Sequence, residues 1–347
     1  MTVPSQTVQT FAMVGIREDI SDTITMIDPT EVPFYSGISK GSAKNRTPEW
    51  QSDALAAPNP ANMTVEGDEA TNDAGTQPVR LKNVVQLFDK VVEVSSTAQA
   101  VETAGRDNEL AYQVLKRGKE LKRDFEARCT GNYASVVGNA STAGQMGGAE
   151  AYIKTNVSRG GGGASGGYNS GTGLIVAATD GALREATEAL LKSVIQQAWT
   201  RGGNPSTIMV NGAMKQKFSG FQGIATQYRD NPGTKAAVII AAADVYKSDF
   251  GLHSIVPNRF MCHGASPRDS TWTNQARTDA EDANRTALVL DMSSWKAKFL
   301  QPMKTTPLAK TGHSDRKMLY AEWTLECDDE KKNGVLADID TDNVDAT

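Results

Sequence analysis

The amino-acid sequence predicts an α+β fold, and three observations carry the prediction. An apolar stripe of helical period runs through residues 107–130. Extended, β-branched segments precede it, and the chain closes with a strand of strict period two.

A chain of 347 residues suggests about two domains, since single cores stop growing near roughly 250 to 300 residues. Apolar residues make up 39% and charged residues 22%, the balance of a chain that buries a core. The start, MTVPSQTVQT, lacks the basic and apolar regions of a signal peptide, and no apolar run reaches about 18 residues. The expectation is a soluble chain that is not exported and has no membrane partner. Cys129, Cys262 and Cys327 are odd in number and lack CxxC spacing, which argues for a reducing cytoplasm and against a disulfide framework. Net charge is −5, but residues 326–347 hold eight acids against two lysines, so an acidic tail follows a near-neutral body.

In chain order, residues 1–44 carry turn signals at Asp28-Pro29 and Val32-Pro33 and read as an extended arm. Residues 45–51 and 78–95, the latter rich in valine, read as two strands of a long hairpin. Between them, residues 53–77 hold five acids (Asp53, Glu66, Asp68, Glu69, Asp73) and no base, a tract calling for either a binding role or disorder. Next comes the strongest helix, DNELAYQVLKRGKELKRDFEARCT, with Leu110, Val114, Leu121, Phe125 and Cys129 on one stripe and Asp107 placed to cap it. Gly118 interrupts it, marking either a close approach by another backbone or a bend. The run KRGKELKR, with bases Lys116, Arg117, Lys119, Lys122 and Arg123, gives this helix a basic face.

Residues 138–173 are rich in Gly, Ser and Asn, forming no regular structure unaided, and read as an insertion or a flexible loop. A second helix is expected over 180–200, turning into the strand TIMVN at 207–211, with further short strands at 236–246 and 252–257; together these suggest a second, smaller α/β domain. After a polar stretch at 262–286, residues 287–291 and 295–300 look extended. In residues 317–327, Leu319, Ala321, Trp323, Leu325 and Cys327 alternate with the other set, giving one apolar face.

Catalytic signatures are weak. The pattern GxSxG occurs at 37–41 and 163–167, in neither case in a clear strand-turn-helix setting, and the glycine tract lacks GKS or GKT. His253, His263 and His313 have no metal-ligand spacing. The expectation is a non-enzyme without cofactor, metal or catalytic residues. KRGKELKR also lacks the interleaved aromatics of a nucleic-acid surface, so its basic face reads as solvated or as an interface.

The order of arm, acidic hairpin, long helix, glycine-rich stretch, α/β unit and final strand resembles the Hong Kong 97-type capsid fold. The words SSTAQAV at 95–101, GRDNELAYQVLKRGKELKRDFE at 105–126, NPSTIMVN at 204–211 and YAEWTLECDDEKKNGVLADI at 320–339 are similar to one branch of tailed-bacteriophage major head proteins. The resemblance implies an N-terminal arm at 1–44, an E-loop hairpin at 45–95, and a P-domain with spine helix at 96–137. A glycine-rich insertion or loop at 138–179 would follow, then an A-domain at 180–286, then a return to the P-domain sheet with the acidic tail at 287–347. It further implies self-assembly into hexamers and pentamers of an icosahedral head in the virion, assembled in the bacterial host cytoplasm. Portal, scaffolding and decoration proteins would be partners, and packaged double-stranded DNA would be touched weakly and non-specifically. An encapsulin-like compartment shell of the same fold is the alternative, and a serine hydrolase using GxSxG a remote one. The expected inter-subunit residues are Glu66, Asp68, Glu69 and Asp73 of the loop against Lys116, Arg117, Lys119, Lys122 and Arg123 of the helix, on charge sign alone.

Overall fold

The computed structural model describes residues 30–69, 75, 77–101, 103, 108–221, 244–261 and 285–340. Most of the expected arm, Asp73, Asp107, Cys262, His263, the stretch 262–284, most of the 236–246 strand and the end of the acidic tail lie outside them.

In chain order the elements begin with α1 (Pro33–Gly37), β1 (Ser39–Ser42), β2 (Glu49–Ser52), β3 (Val79–Lys82), β4 (Gln86–Ser95), α2 (Ser96–Ala100) and α3 (Glu109–Thr130). There follow α4 (Ala149–Tyr152), β5 (Val157–Ser158), β6 (Gly167–Asn169), β7 (Leu174–Val176), α5 (Glu188–Thr200), β8 (Thr207–Val210) and α6 (Gly212–Ser219). The rest are β9 (Val245–Ser248), β10 (Gly251–Pro257), β11 (Ala287–Leu290), β12 (Trp295–Pro307), β13 (Ser314–Cys327) and β14 (Gly334–Leu336).

A four-stranded sheet of order β1-β12-β13-β4 forms one layer. Its spine is the antiparallel β12–β13 pair, in register from Trp295 opposite Cys327 to Pro307 opposite Lys317, with irregularities between Phe299 and Lys304. The alternation in β13 is as expected: Leu319, Ala321, Trp323, Leu325 and Cys327 are all buried. These residues meet α3, whose stripe places Phe125 with its ring 4.5 Å from that of Trp323. The other set is not simply solvated, because Thr324 and Glu326 are buried as well. The base of the acidic hairpin lies over them, with Trp50 Nε1 donating to the Cys327 carbonyl at 2.8 Å and Thr324 Oγ1 donating to the Val84 carbonyl at 2.8 Å, while Lys298 of the neighbouring β12 pairs with Glu326.

Helix α3 spans 22 residues, about 33 Å at 1.5 Å per residue, and Asn108 caps it by accepting from the Ala111 amide at 2.9 Å. The cap is therefore Asn108 and not Asp107, one residue later than expected. No backbone approaches Gly118; a Cβ there would stand 3.7 Å from Leu319 Cδ2 and 3.8 Å from Met303 Sδ, ordinary van der Waals contact. Gly118→Ala is thus expected to raise stability by about 0.5–1 kcal/mol through helix propensity alone, read as a shift in urea midpoint. An unchanged or lowered midpoint would show that the site is tighter than described.

The second sheet, of order β5-β14-β11-β8-β10-β9, is mixed: β8 runs parallel to β10, while β11 is antiparallel to both β8 and β14. One face is packed by α5 and α6 through Leu191, Val194, Met214 and Phe218 against Ile208, Val210 and Val289. The opposite face contributes Met209, Leu288, Leu290 and Val335 to the core shared with the four-stranded sheet, so the two layers are one packed body.

Four expectations need correction. The run 78–95 is two strands: β3 pairs with β2 in the hairpin, whereas β4 leaves it to pair with β13 from Ser95 opposite Ser314 to Gln86 opposite Trp323. The helix expected from residue 180 begins at Glu188, because residues around Arg184 run beside Ile339 as a parallel bridge and exchange backbone hydrogen bonds with Asp338 and Asp340. A boundary at residue 286 does not separate the sheets, since β11 and β14 both belong to the six-stranded one.

The middle of the glycine-rich tract, residues 146–153, is not a surface insertion. Met146, Ala149, Ala151, Tyr152 and Ile153 are buried in the main core. Gly148 explains part of the composition: a Cβ there would stand 2.8 Å from the Arg128 carbonyl oxygen and closer still to that of Gly131, so the tract can pass the end of α3 only as glycine. Its polar groups are met from far along the chain, Glu330 accepting from the Lys154 and Thr155 amides at 3.0 Å each.

Candidate assembly surfaces

The acidic hairpin separates into an anchored base and an exposed loop. At the base, Arg80 lies 3.4 Å from Glu49 across the β2–β3 pair, and the Trp50 indole is fixed to the four-stranded sheet. Beyond it, residues 53–69 are exposed throughout. Glu66, Asp68 and Glu69 lie on this loop, where Asp68 accepts from the Glu69 amide at 2.9 Å and Gly67 takes φ 85° to make the turn. Asp73 lies outside the described residues.

Sequence reasoning missed the apolar side chains between these acids. Leu55 is 100%, Met63 77% and Val65 76% exposed. Three large apolar groups held in water on one loop are a cost that a covering surface would remove. The signal was present as apolar letters within a polar tract, but charge drew the reading.

Lys116, Lys119 and Lys122 are exposed. Arg117 reaches Glu120 at 2.6 Å, and the Arg123 guanidinium lies over the Phe260 ring at 5.0 Å. Leu115, 58% exposed, sits beside the lysines and off the buried stripe. Within one subunit, no ion pair among the described residues joins the loop acids to these bases.

Neither GxSxG serine meets a histidine among the described residues: Ser39 donates to the Trp295 carbonyl at 3.1 Å, and Ser165 is exposed. His253 is buried, with Nδ1 2.6 Å from the Pro205 carbonyl and Nε2 2.6 Å from Ser248 Oγ, an arrangement that ties down the β9–β10 turn, where Ser248 accepts from the Phe250 amide. Cys129 and Cys327 are free and buried, and burial pushes both thiols well up. Among the described residues no group of three His, Cys, Asp or Glu could hold a metal, and no helix is long and apolar enough to cross a membrane.

A long helix laid across a four-stranded sheet and joined to a second mixed sheet is a fold shared with solved capsid structures. The capsid structure of the cyanophage P-SCSP1u shares it at a TM-score of 0.57 and 10% identity, over 97% of this chain and 99% of that one. A structure from Mycobacterium phage Cain shares it at a TM-score of 0.56 and 12% identity, over 95% and 96%. The chain belongs to the SU10 major capsid protein family, whose model matches residues 3–340. It is 28% identical to the major capsid protein of Escherichia phage Phieco32 over 93% of this chain and 94% of that protein. The protein is thus a phage major capsid protein, a structural component of the virion that builds a shell from copies of itself.

Proposed function

We propose that the subunit closes into hexamers and pentamers of an icosahedral head around double-stranded DNA, with the 53–77 loop of one subunit lying on α3 of the next. The observation that carries this reading is the exposed loop, which sets Leu55, Met63 and Val65 beside Glu66, Asp68 and Glu69. The exposed stripe of α3 offers Leu115 with Lys116, Lys119 and Lys122, a surface of the opposite sign. Contacts between different patches of identical subunits close into rings when the rotation permits, and a stable contact buries about 1,600 Å² in total, which a projecting loop supplies without a larger core.

In this assignment residues 1–44 are the N-terminal arm and the loop with its β2–β3 base is the E-loop. Helix α3 with the four-stranded sheet forms the P-domain, and the six-stranded sheet with α5 and α6 forms the A-domain. Assembly takes place in the bacterial host cytoplasm, with portal, scaffolding and decoration proteins as partners. DNA meets the inner wall through weak, non-specific contacts, in keeping with a net charge of −5. The family match favours a phage head over an encapsulin-like compartment.

Exposed ion pairs contribute only about 0–1 kcal/mol each and act mainly on register and association rate. Reversing Glu66, Asp68 and Glu69 to lysine is therefore expected to slow shell formation at low salt, followed by light scattering and negative-stain microscopy. Reversing Lys116, Lys119 and Lys122 to glutamate in the same chain should restore it. Unchanged assembly of the loop variant at low salt would remove the pairing.

A further inference from the structure

Glu126 is fully buried on α3, yet it belongs to the connection between three parts of the chain that are distant in sequence. The Phe34 amide donates to its Oε1 at 2.7 Å and the Tyr35 amide donates to its Oε2 at 2.7 Å. Asn258 Nδ2, just beyond β10, donates to Oε1 at 2.7 Å. Helix α1 opens with proline, and Val32 provides no side-chain cap, so its first free N–H groups need an acceptor from elsewhere. A carboxylate 92 residues away supplies it.

Among the described residues no cation sits against this carboxylate. Among the described residues no ion pair reaches it, and the charged or titratable groups on the elements around it are turned elsewhere. On the α1 side Lys40 lies over the Tyr35 ring at 4.7 Å. On α3 itself, Arg123 lies over Phe260, Arg128 donates to the Met146 and Ala134 carbonyls, and Cys129 is a buried thiol. Beside Asn258, Arg259 is exposed, and the neighbouring strand offers only Met209. The surrounding packing of Val32, Tyr35, Ala127 and Phe260 is apolar.

We propose that Glu126 is a proton-controlled clasp that fastens the N-terminal segment, residues 32–38, to α3 and to the segment after β10: docking takes up a proton that release gives back. A carboxyl group stripped of water and offered only neutral N–H donors favours its uncharged form when burial outweighs the hydrogen bonds. Burial is the larger influence here, and it raises the Glu126 carboxyl from 4.5 to about 7 against the three hydrogen bonds that lower it. Because the docked value lies above the released one, the stabilisation is complete below the released value and is lost as pH rises through about 7. The clasp thus loosens on the alkaline side of neutrality.

Hydrogen exchange of the full-length chain tests this. After correction for intrinsic rates, protection of the Phe34 and Tyr35 amides relative to interior α3 amides is expected to fall about tenfold from pH 6 to pH 8, as the shift implies. Glu126→Gln should flatten that dependence. A flat wild-type profile, or a Glu126→Gln profile with the wild-type slope, would overturn the clasp. Should Glu126→Gln not fold, Asn258→Ala decides: loss of a donor to the anion moves the midpoint to higher pH, and an unmoved midpoint overturns the proposal. The outcome is independent of where the 53–77 loop docks.

Discussion

Trp323→Ala is expected to lower subunit stability by about 3–5 kcal/mol, read from urea unfolding of dispersed subunits. Trp323 is the hub through which separate pieces of the chain meet. Its ring lies 4.5 Å from that of Phe125 on α3, 5.4 Å from Phe299 on β12 and 5.9 Å from Phe88 on β4, and it stacks on Tyr35 of α1 at 5.6 Å. Truncation would leave a cavity lined by four elements, none of which can move without breaking sheet or helix hydrogen bonds. The indole N–H makes no hydrogen bond among the described residues, so Trp323→Phe should lose much less than the alanine variant. Equal losses for the two would show that the N–H, and not the packed ring, carries the stability.

Arg159→Ala should be comparably severe, about 3–5 kcal/mol, because it strands buried charge. Within the glycine-rich tract Arg159 meets Glu150 at 2.8 Å, and it reaches out of the tract to Asp338 at 4.0 Å, with side-chain exposures of 4% for Arg159, 2% for Glu150 and 3% for Asp338. Asp338 holds φ 59°, unusual for a residue other than glycine, and its Oδ2 accepts from the Gly160 amide at 2.9 Å. The arginine thereby joins the tract to the segment after β14. Removing it takes a buried cation from the Glu150 and Asp338 carboxylates, whereas Arg159→Met with Glu150→Gln removes charge from both sides and should recover part of the loss, in a double-mutant comparison of urea midpoints. A mild effect of Arg159→Ala alone would mean that water reaches the pair.

How much of this was legible in the sequence follows from how local each signal was. The α3 stripe and the β13 alternation could be read directly, because Leu110, Leu121, Phe125 and Cys129, or Leu319, Ala321 and Trp323, lie on one face by periodicity alone. The TIMVN strand was marked by its apolar run, whereas the helix after it went unread, although Asn211 accepts there from the Ala213 and Met214 amides as its cap. Of the assembly residues, the position of the acids on an exposed loop was legible. The diversion of Arg117 to Glu120 and of Arg123 to the Phe260 ring was not, since Phe260 is far away in sequence.

The sequence by itself determined the segments whose hydrophobic period is intrinsic: one long amphipathic helix, one long alternating strand that β14 and not the chain end follows, an acidic tract with no core of its own, and the words that place the chain among phage head proteins. Only the tertiary structure decided that β4 joins β13 rather than β3, that Arg184 bridges to Ile339 ahead of the helix, and that residues 146–153 of the glycine-rich tract are core. It also decided that Glu126 answers the amides of Phe34 and Tyr35. The physical reason is common to all four. Backbone donors and acceptors, buried charges and close backbone approaches are satisfied by partners tens to hundreds of residues away, and no local pattern of letters encodes a partner at that distance.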